Sequence, residues 1–375
     1  MKKKKLKMKK PLRIFIKVVV TILIILLIFF IAYTIVFDKF RSIGYSHDAT
    51  VKIFKEFKVS VAKDNPKNKT LNAAFESKDY KEKNIKHYVN IKYHKGKDLI
   101  ENINTLVSKK YTDREINIIF DHGDNDDVKE FAKKDKVKYI EEFYSYPYAK
   151  IKYYDRYNDF MNNEGDDEED TVIKVNLDLD KEDYKDPIKI SDYSKNVLAN
   201  KHHYLGENYT PKLIKVPSEY LLDKDEVVKG TNEAVTSAIK MIKDAKKDGL
   251  DLRINSGYRS YKDQEGTYNY YKGLYGEDYC TKYVILPGYS EHQTGYAFDF
   301  ASGSSNLFAN SKEYTWMVEN AYKYGFIYRY QKKFEDITEI RHEAWHFRYV
   351  GIENAKKIND EGISFEEYYV KYLDK

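Results

Sequence analysis

The ten residues Ser290-Glu-His-Gln-Thr-Gly-Tyr-Ala-Phe-Asp299 set a His and an Asp seven positions apart around a glycine. Glu343-Ala-Trp-His346, starting fifty-one residues after His292, adds a second imidazole and a second carboxylate. Two His and one Asp or Glu, with the fourth position left to water, form the ligand set of a catalytic zinc site. The carboxylate left over is then available as a base. A lone His is ordinarily a satisfied polar residue; this combination at this spacing asks for chemistry. Ala297 and Asp299 alternate with Tyr296 and Phe298, and Gly295 permits the backbone turn that would bring His292 and Asp299 toward one metal. In a strand over Glu343–Tyr349, Trp345, Phe347 and Tyr349 form one face, expected as core. His346 shares the other with Ala344 and Arg348 and projects into a cleft.

Elements of both periods surround these segments. Asn232–Lys247 reads as a helix, with Val235, Ala238, Ile242 and Ala245 on one face and Gly249 as its stop. Leu250, Leu252 and Ile254 alternate with polar residues as a strand leading into Ser256-Gly-Tyr-Arg-Ser260. Ser260-Tyr-Lys-Asp263 opens a helix to about Tyr275 in the manner of a capping box. Lys312–Tyr324 is a further helix closed by Gly325, Phe326–Tyr330 a strand, and Ser364-Phe-Glu-Glu367 the cap of a last helix. Short interspersed helices and strands predict an α+β domain with an antiparallel sheet, over residues 182–375.

The N-terminus is of another character. Val18–Phe37 is a run of twenty residues without a charge, enough at ~1.5 Å per residue to cross a ~30 Å hydrocarbon core. Nine Lys and Arg and no acid precede it, in a basic tail over 1–17. The run exceeds the ~7–15 apolar residues of a secretory signal peptide, so an uncleaved signal-anchor over 18–37 is expected. The positive-inside rule puts the tail in the cytoplasm and residues 38–375 outside. The overall +5 is misleading: without the tail, 56 basic face 60 acidic residues, a net of −4. That excludes the basic footprint of a nucleic-acid binder. Cys280 is the only cysteine, which excludes an internal disulfide and a cysteine-based zinc site.

Residues 38–70, rich in Lys and without clear period, read as a stalk. Leu99, Ile100, Ile103, Leu106 and Val107 share one helical face, Thr112-Asp-Arg-Glu115 caps a second helix, and Asp126–Lys134 reads as a third. These make a small, mostly helical module over 71–160 in which nothing suggests chemistry. His87, His94 and His122 read there as surface or packing residues. The acidic run Glu164–Asp170 reads as a solvated linker, and Val175, Leu177 and Leu179 alternate as an edge strand would, giving a linker and strand over 161–181.

The stretch SEHQTGYAFD resembles the Ser-x-His-x-x-Gly-x-Ala-x-Asp signature of VanY-type D-alanyl-D-alanine carboxypeptidases. EAWHFRYVG, from Glu343, resembles the same family's Glu-x-Trp-His close. SGYRS with Gln264 is similar to its substrate-binding segment, and NAYKYGFIYRY to the intervening helix and strand. The likeness covers roughly 210–355. Ala344 stands where the family often has Pro, and His342 replaces an aromatic; neither position is a ligand. The resemblance implies an antiparallel-sheet zinc peptidase domain with Zn²⁺ on His292, Asp299 and His346, and Glu343 as general base. It also implies that Arg259 holds the substrate's terminal carboxylate or steadies the tetrahedral oxyanion. Gln264 and Ser290 would be hydrogen-bond partners at the same end, with Arg329 a further substrate-binding candidate. The implied substrate is the peptidoglycan stem peptide, and the protein a membrane-anchored carboxypeptidase releasing the terminal D-Ala. Alternatives are an L,D-carboxypeptidase or endopeptidase of the same fold, and a non-catalytic wall-binding scaffold.

Overall fold

The computed structural model describes residues 10–374, and the chain divides into two compact units. The first is Met1–Ser145 with Lys150–Lys152; the second is Tyr146–Ala149 with Tyr153–Lys375. The basic tail lies outside the described residues up to residue 9.

In the first unit a helix over Lys10–Ser42 carries the whole apolar run, whose Leu and Ile side chains and Phe29 and Phe30 are exposed. At ~1.5 Å per residue it is about 50 Å long, and it is long and apolar enough to cross a membrane. Its C-terminal Phe40 is buried and packs against Tyr45 and Phe54. The expected stalk over 38–70 is therefore corrected. Helices His47–Lys55 and Val59–Asp64 lie there, with Ala49, Ile53 and Ala62 fully buried. Ser46 accepts from the Ala49 N–H and caps the first of them. These helices are too short, and too interrupted by lysine, for a period to show in sequence. Further on, Leu99–Ser108 buries Leu99, Ile100, Ile103 and Leu106, and Asp113–Asp121 opens on the capping box of Thr112 and Glu115. Asn104 Oδ1 accepts from Asn84 and Tyr88, a buried polar knot within the module.

The second unit starts earlier than expected. Glu168–Asn176 is a helix, not a linker and strand. Asp167 caps it by accepting from the Asp170 N–H, and Glu168, Glu169 and Asp170 fill its first turn. The acidic run thus sits where a helix dipole favours negative charge. Ile173 and Leu177, four apart, pack with Leu198, Ile327, Val350 and Phe365. The alternation of Val175, Leu177 and Leu179 mimicked a strand, but the i, i+4 pairing prevailed.

At the centre of this unit is an antiparallel four-stranded sheet. Its strands are β1 (Leu252–Ser256), β2 (Ala297–Ser302), β3 (Phe326–Tyr328) and β4 (His346–Tyr349), in the order β1-β2-β4-β3. One face carries Leu252, Ile254, Phe298, Phe300, Phe326 and Phe347. The helix Asn232–Lys247 packs on it through Ala234, Val235, Ala238, Met241 and Ala245. Alternation then sends Asp299, His346 and Arg348 to the opposite face. Asp299 stands directly across from His346, and Ala297 from Arg348. Trp345 departs from expectation: it precedes the strand, is 45% exposed, and does not join the aromatic core. The α+β fold with an antiparallel sheet is as the sequence predicts.

Candidate active site

Cross-strand pairing alone places two of the three expected ligands. Asp299 and His346 face each other on β2 and β4, with Asp299 Oδ1 3.4 Å from His346 Nδ1. His292 arrives by a different route. Ser290 caps a 3₁₀ turn over Glu291–Thr294, its Oγ accepting from the His292 N–H at 3.4 Å. Gly295 ends the turn in the left-handed region, φ 73°. That conformation is what requires glycine, since a Cβ there would meet only the movable end of Leu213, 2.8 Å from Cδ2. The reversal carries His292 back over β2, with Nε2 3.5 Å from Asp299 Oδ1. The His292 and His346 rings stand almost perpendicular, at 87° and 4.9 Å between centroids.

The three donor atoms lie within 4.8 Å of one another. Each imidazole has its far nitrogen engaged: His292 Nδ1 with the Gly257 carbonyl at 2.7 Å, His346 Nε2 with Glu291 Oε2 at 3.2 Å. Such outer contacts fix tautomer and ring orientation around a metal. Asp299 Oδ1, by contrast, is buried without a hydrogen-bond partner, which is costly in a neutral site and expected where a cation belongs. Burial raises the Asp299 carboxyl, but His292 and His346 outweigh it and hold it well below the usual range. Burial depresses His346, yet the neighbouring carboxylates of Asp299 and Glu291 push it up to about 9. The donor set therefore fits a divalent cation with nitrogen and oxygen preference.

Glu343 flanks the trio, its Oε2 3.5 Å from His346 Nδ1 and its side chain 31% exposed. Burial raises its carboxyl above the ordinary value, against the opposing pull of His346. Arg259 stands beside it, Nη1 donating to Gln264 Oε1 at 2.9 Å, while Gln264 Nε2 donates to the Ile285 carbonyl. The backbone N–H of Arg259 donates to the His292 carbonyl, so guanidinium and ligand share one frame. All of these residues, with Ser290, line a single cleft of about 770 Å³, within the range of small-molecule and peptide sites. His342 lies on the rim, bonded to the Tyr328 hydroxyl.

Arg329 does not belong to this group. Its side chain is 1% exposed. Its Nε donates to Glu291 and its two terminal nitrogens to Glu366. It does not line the cleft, and the expected substrate-binding role is corrected to a structural one. The sequence reading also missed Glu291. Written between Ser290 and His292, it looks like a solvent-facing charge; folded, it is fully buried among His346, Arg329 and Arg348. Its signal is the pair of arginines, Arg329 and Arg348, that the strand pattern sends inward.

A family model described as D-alanyl-D-alanine carboxypeptidase, VanY, matches residues 228–352. Among curated proteins, YodJ of Bacillus subtilis (strain 168) is 40% identical over 185 residues, 47% of this chain and 68% of its own length. The bifunctional D-Ala-D-Ala dipeptidase and D-Ala-D-Ala carboxypeptidase VanXYC of Enterococcus gallinarum is 32% identical over 181 residues, 46% of this chain and 92% of its own. Among solved structures, the LdcB LD-carboxypeptidase is 38% identical with a TM-score of 0.47, covering 49% of this chain and 90% of that one.

Proposed function

Because this chain belongs to the VanY D-alanyl-D-alanine carboxypeptidase family, we propose that it is a membrane-anchored zinc carboxypeptidase of the cell wall. It removes the C-terminal D-Ala from peptidoglycan stem peptides. The observation that carries the reading is the convergence of His292 Nε2, Asp299 Oδ1 and His346 Nδ1 within 4.8 Å, with an unpartnered buried oxygen among them and Glu343 alongside.

A zinc ion on these three atoms supplies Lewis-acid polarisation of the scissile carbonyl and acidifies water. The chain's own residues do the rest. Glu343 takes the proton of the attacking water on its carboxylate and passes it to the leaving amine of D-Ala. A carboxyl raised by burial is better matched to that exchange near neutral pH than an exposed one. Arg259 is a charged fork held by Gln264, suited to the terminal carboxylate or the tetrahedral oxyanion. Ser290 acts mainly through the turn it caps. Glu291 holds the His346 ring so that Nδ1 faces the site.

The anchor reading rests on the helix Lys10–Ser42 and on the nine cationic residues at its start. Positive charge on the cytoplasmic side leaves the catalytic unit outside, where stem peptides are found. The decisive experiment is zinc analysis of the purified full chain together with mass spectrometry of products from pentapeptide and tetrapeptide stems. One zinc per chain and loss of a single D-Ala from pentapeptide are expected, both abolished in His346→Ala. Full activity after exhaustive chelation would sink the zinc reading. Release from tetrapeptide alone would replace D,D- by L,D-specificity.

A further inference from the structure

A fifteen-residue helix, Tyr261–Tyr275, borders the cleft, and Gln264 is its one buried residue. Helices in a domain of this size ordinarily bury a full stripe. This one instead displays aromatic rings. Tyr271 and Tyr275 are four apart and stack at 6.2 Å and 19°. Gly276, with φ 86°, breaks the helix, yet the series continues through the next one, Glu277–Tyr283. Tyr275 and Tyr279 lie 4.6 Å apart, Tyr279 and Tyr283 4.7 Å. Arg341 lies over the ring of Tyr283 at 4.3 Å and joins the series to the segment bearing Glu343. Tyr275 is 59% exposed, and Tyr271 and Tyr283 are exposed as well. An uncovered run of large rings of this kind marks a binding surface.

We infer that Tyr271, Tyr275, Tyr279 and Tyr283 form a platform for the glycan strand to which the stem peptide is attached. The inference rests on the peptidoglycan reading above. Two features choose a carbohydrate. The run is continuous with the catalytic cleft, whose lining includes Tyr271, Tyr279 and Tyr283 together with the three ligand residues. A stem peptide seated at Glu343 must lead away along such a wall to its sugar. The rings are also set among charges: Lys272 and Glu277 pair at 2.8 Å between Tyr271 and Tyr279. A lipid tail or an apolar protein face would bury that pair at a cost. A sugar presents apolar C–H faces to rings and hydroxyls to neighbouring charges, and tyrosine offers both an apolar body and a polar tip.

The test compares the full chain with Tyr275→Ala, whose ring stands outside the cleft lining, on two substrates, free pentapeptide and soluble uncrosslinked glycan strands carrying the same stem. The expected result is a rise in KM on the order of tenfold for the strands only, with kcat unchanged. Tyr275→Phe, which keeps the ring, should stay near wild type. Equal losses on both substrates, or no loss on either, overturn the platform. Glycan strands stripped of peptide test it without catalysis: they should bind wild type, and Tyr275→Ala about tenfold more weakly. Failure to bind overturns the platform even if the enzyme cleaves stems. A wild-type protein that binds stripped strands but cleaves nothing leaves the platform standing and removes the carboxypeptidase reading. Lipid-vesicle binding or self-association that Tyr275→Ala loses, with glycan handling unchanged, would assign the rings to another partner.

Discussion

Glu291→Gln is the sharpest probe of how the metal ligands are held. In the wild type two guanidiniums, Arg329 and Arg348, share a fully buried cluster with two carboxylates, Glu291 and Glu366. The charges balance. Glutamine keeps the shape but leaves the cluster one positive charge in excess. Arg329 retains Glu366; Arg348, 3.6 Å from Glu291, loses its counter-charge. Its Nη1 has no hydrogen-bond partner even in the wild type. Removing one member of a buried ion pair costs about 3–5 kcal/mol, which lowers Tm by about 10 °C in a unit of this size. The metal should respond separately. The glutamine side chain accepts less strongly from His346 Nε2, and loss of such an outer partner weakens metal binding by about 10- to 100-fold. Thermal unfolding of the metal-stripped full chain measures the first effect, and zinc competition against a chelator of known affinity the second. A lowered Tm with unchanged zinc affinity would refute the argument, leaving Glu291 as a counter-ion for arginines alone.

Three further outcomes are expected. Glu343→Gln keeps size and zinc, so kcat should fall by ~10² to 10⁴ with KM little changed; a change confined to KM would make Glu343 a binding residue. Burial depresses His203 to about 4. Its contribution is thus complete above pH 6.5 and disappears as pH falls through 4, a span of roughly 3 kcal/mol. Denaturant midpoints between pH 7.5 and 4 should slope less in His203→Gln than in wild type, and identical slopes would show that His203 titrates normally. Protease added to wall-stripped cells should digest the catalytic unit, and its protection would reverse the proposed orientation.

The chemistry of this chain was more legible than its architecture. His292, Asp299 and His346 stand out because few other uses need those residues at that spacing, and Gly295 announces the turn between two of them. Periodicity located Asn232–Lys247 and the face of β2, since long amphipathic stretches average over local noise. Short elements escaped. The two helices inside 38–70 give too few turns for a period, and Glu168–Asn176 hid behind an acidic run that a helix dipole explains only once the helix is known. Arg329 was assigned to substrate, and Glu291 to nothing, for a shared reason. A charged residue reads as exposed unless its partner is visible, and theirs lie dozens of positions away, at Glu366 and His346. Trp345 failed on strand boundaries: β4 begins one residue after it.

The salt-bridged cluster also bears on where this enzyme can be cut. The family model's match ends at Ile352, but the carboxylate that neutralises Arg329 is Glu366, on the short helix Phe365–Tyr368. Ile173 and Leu177, far upstream of residue 228, pack into the same apolar cluster as Phe365. A fragment trimmed to 228–352 would strand a buried guanidinium behind β4 and expose the flank of the sheet that carries His346. The span that the family model matches is thus shorter than the span that folds. The smallest autonomous catalytic fragment should begin ahead of Glu168 and run past Val370.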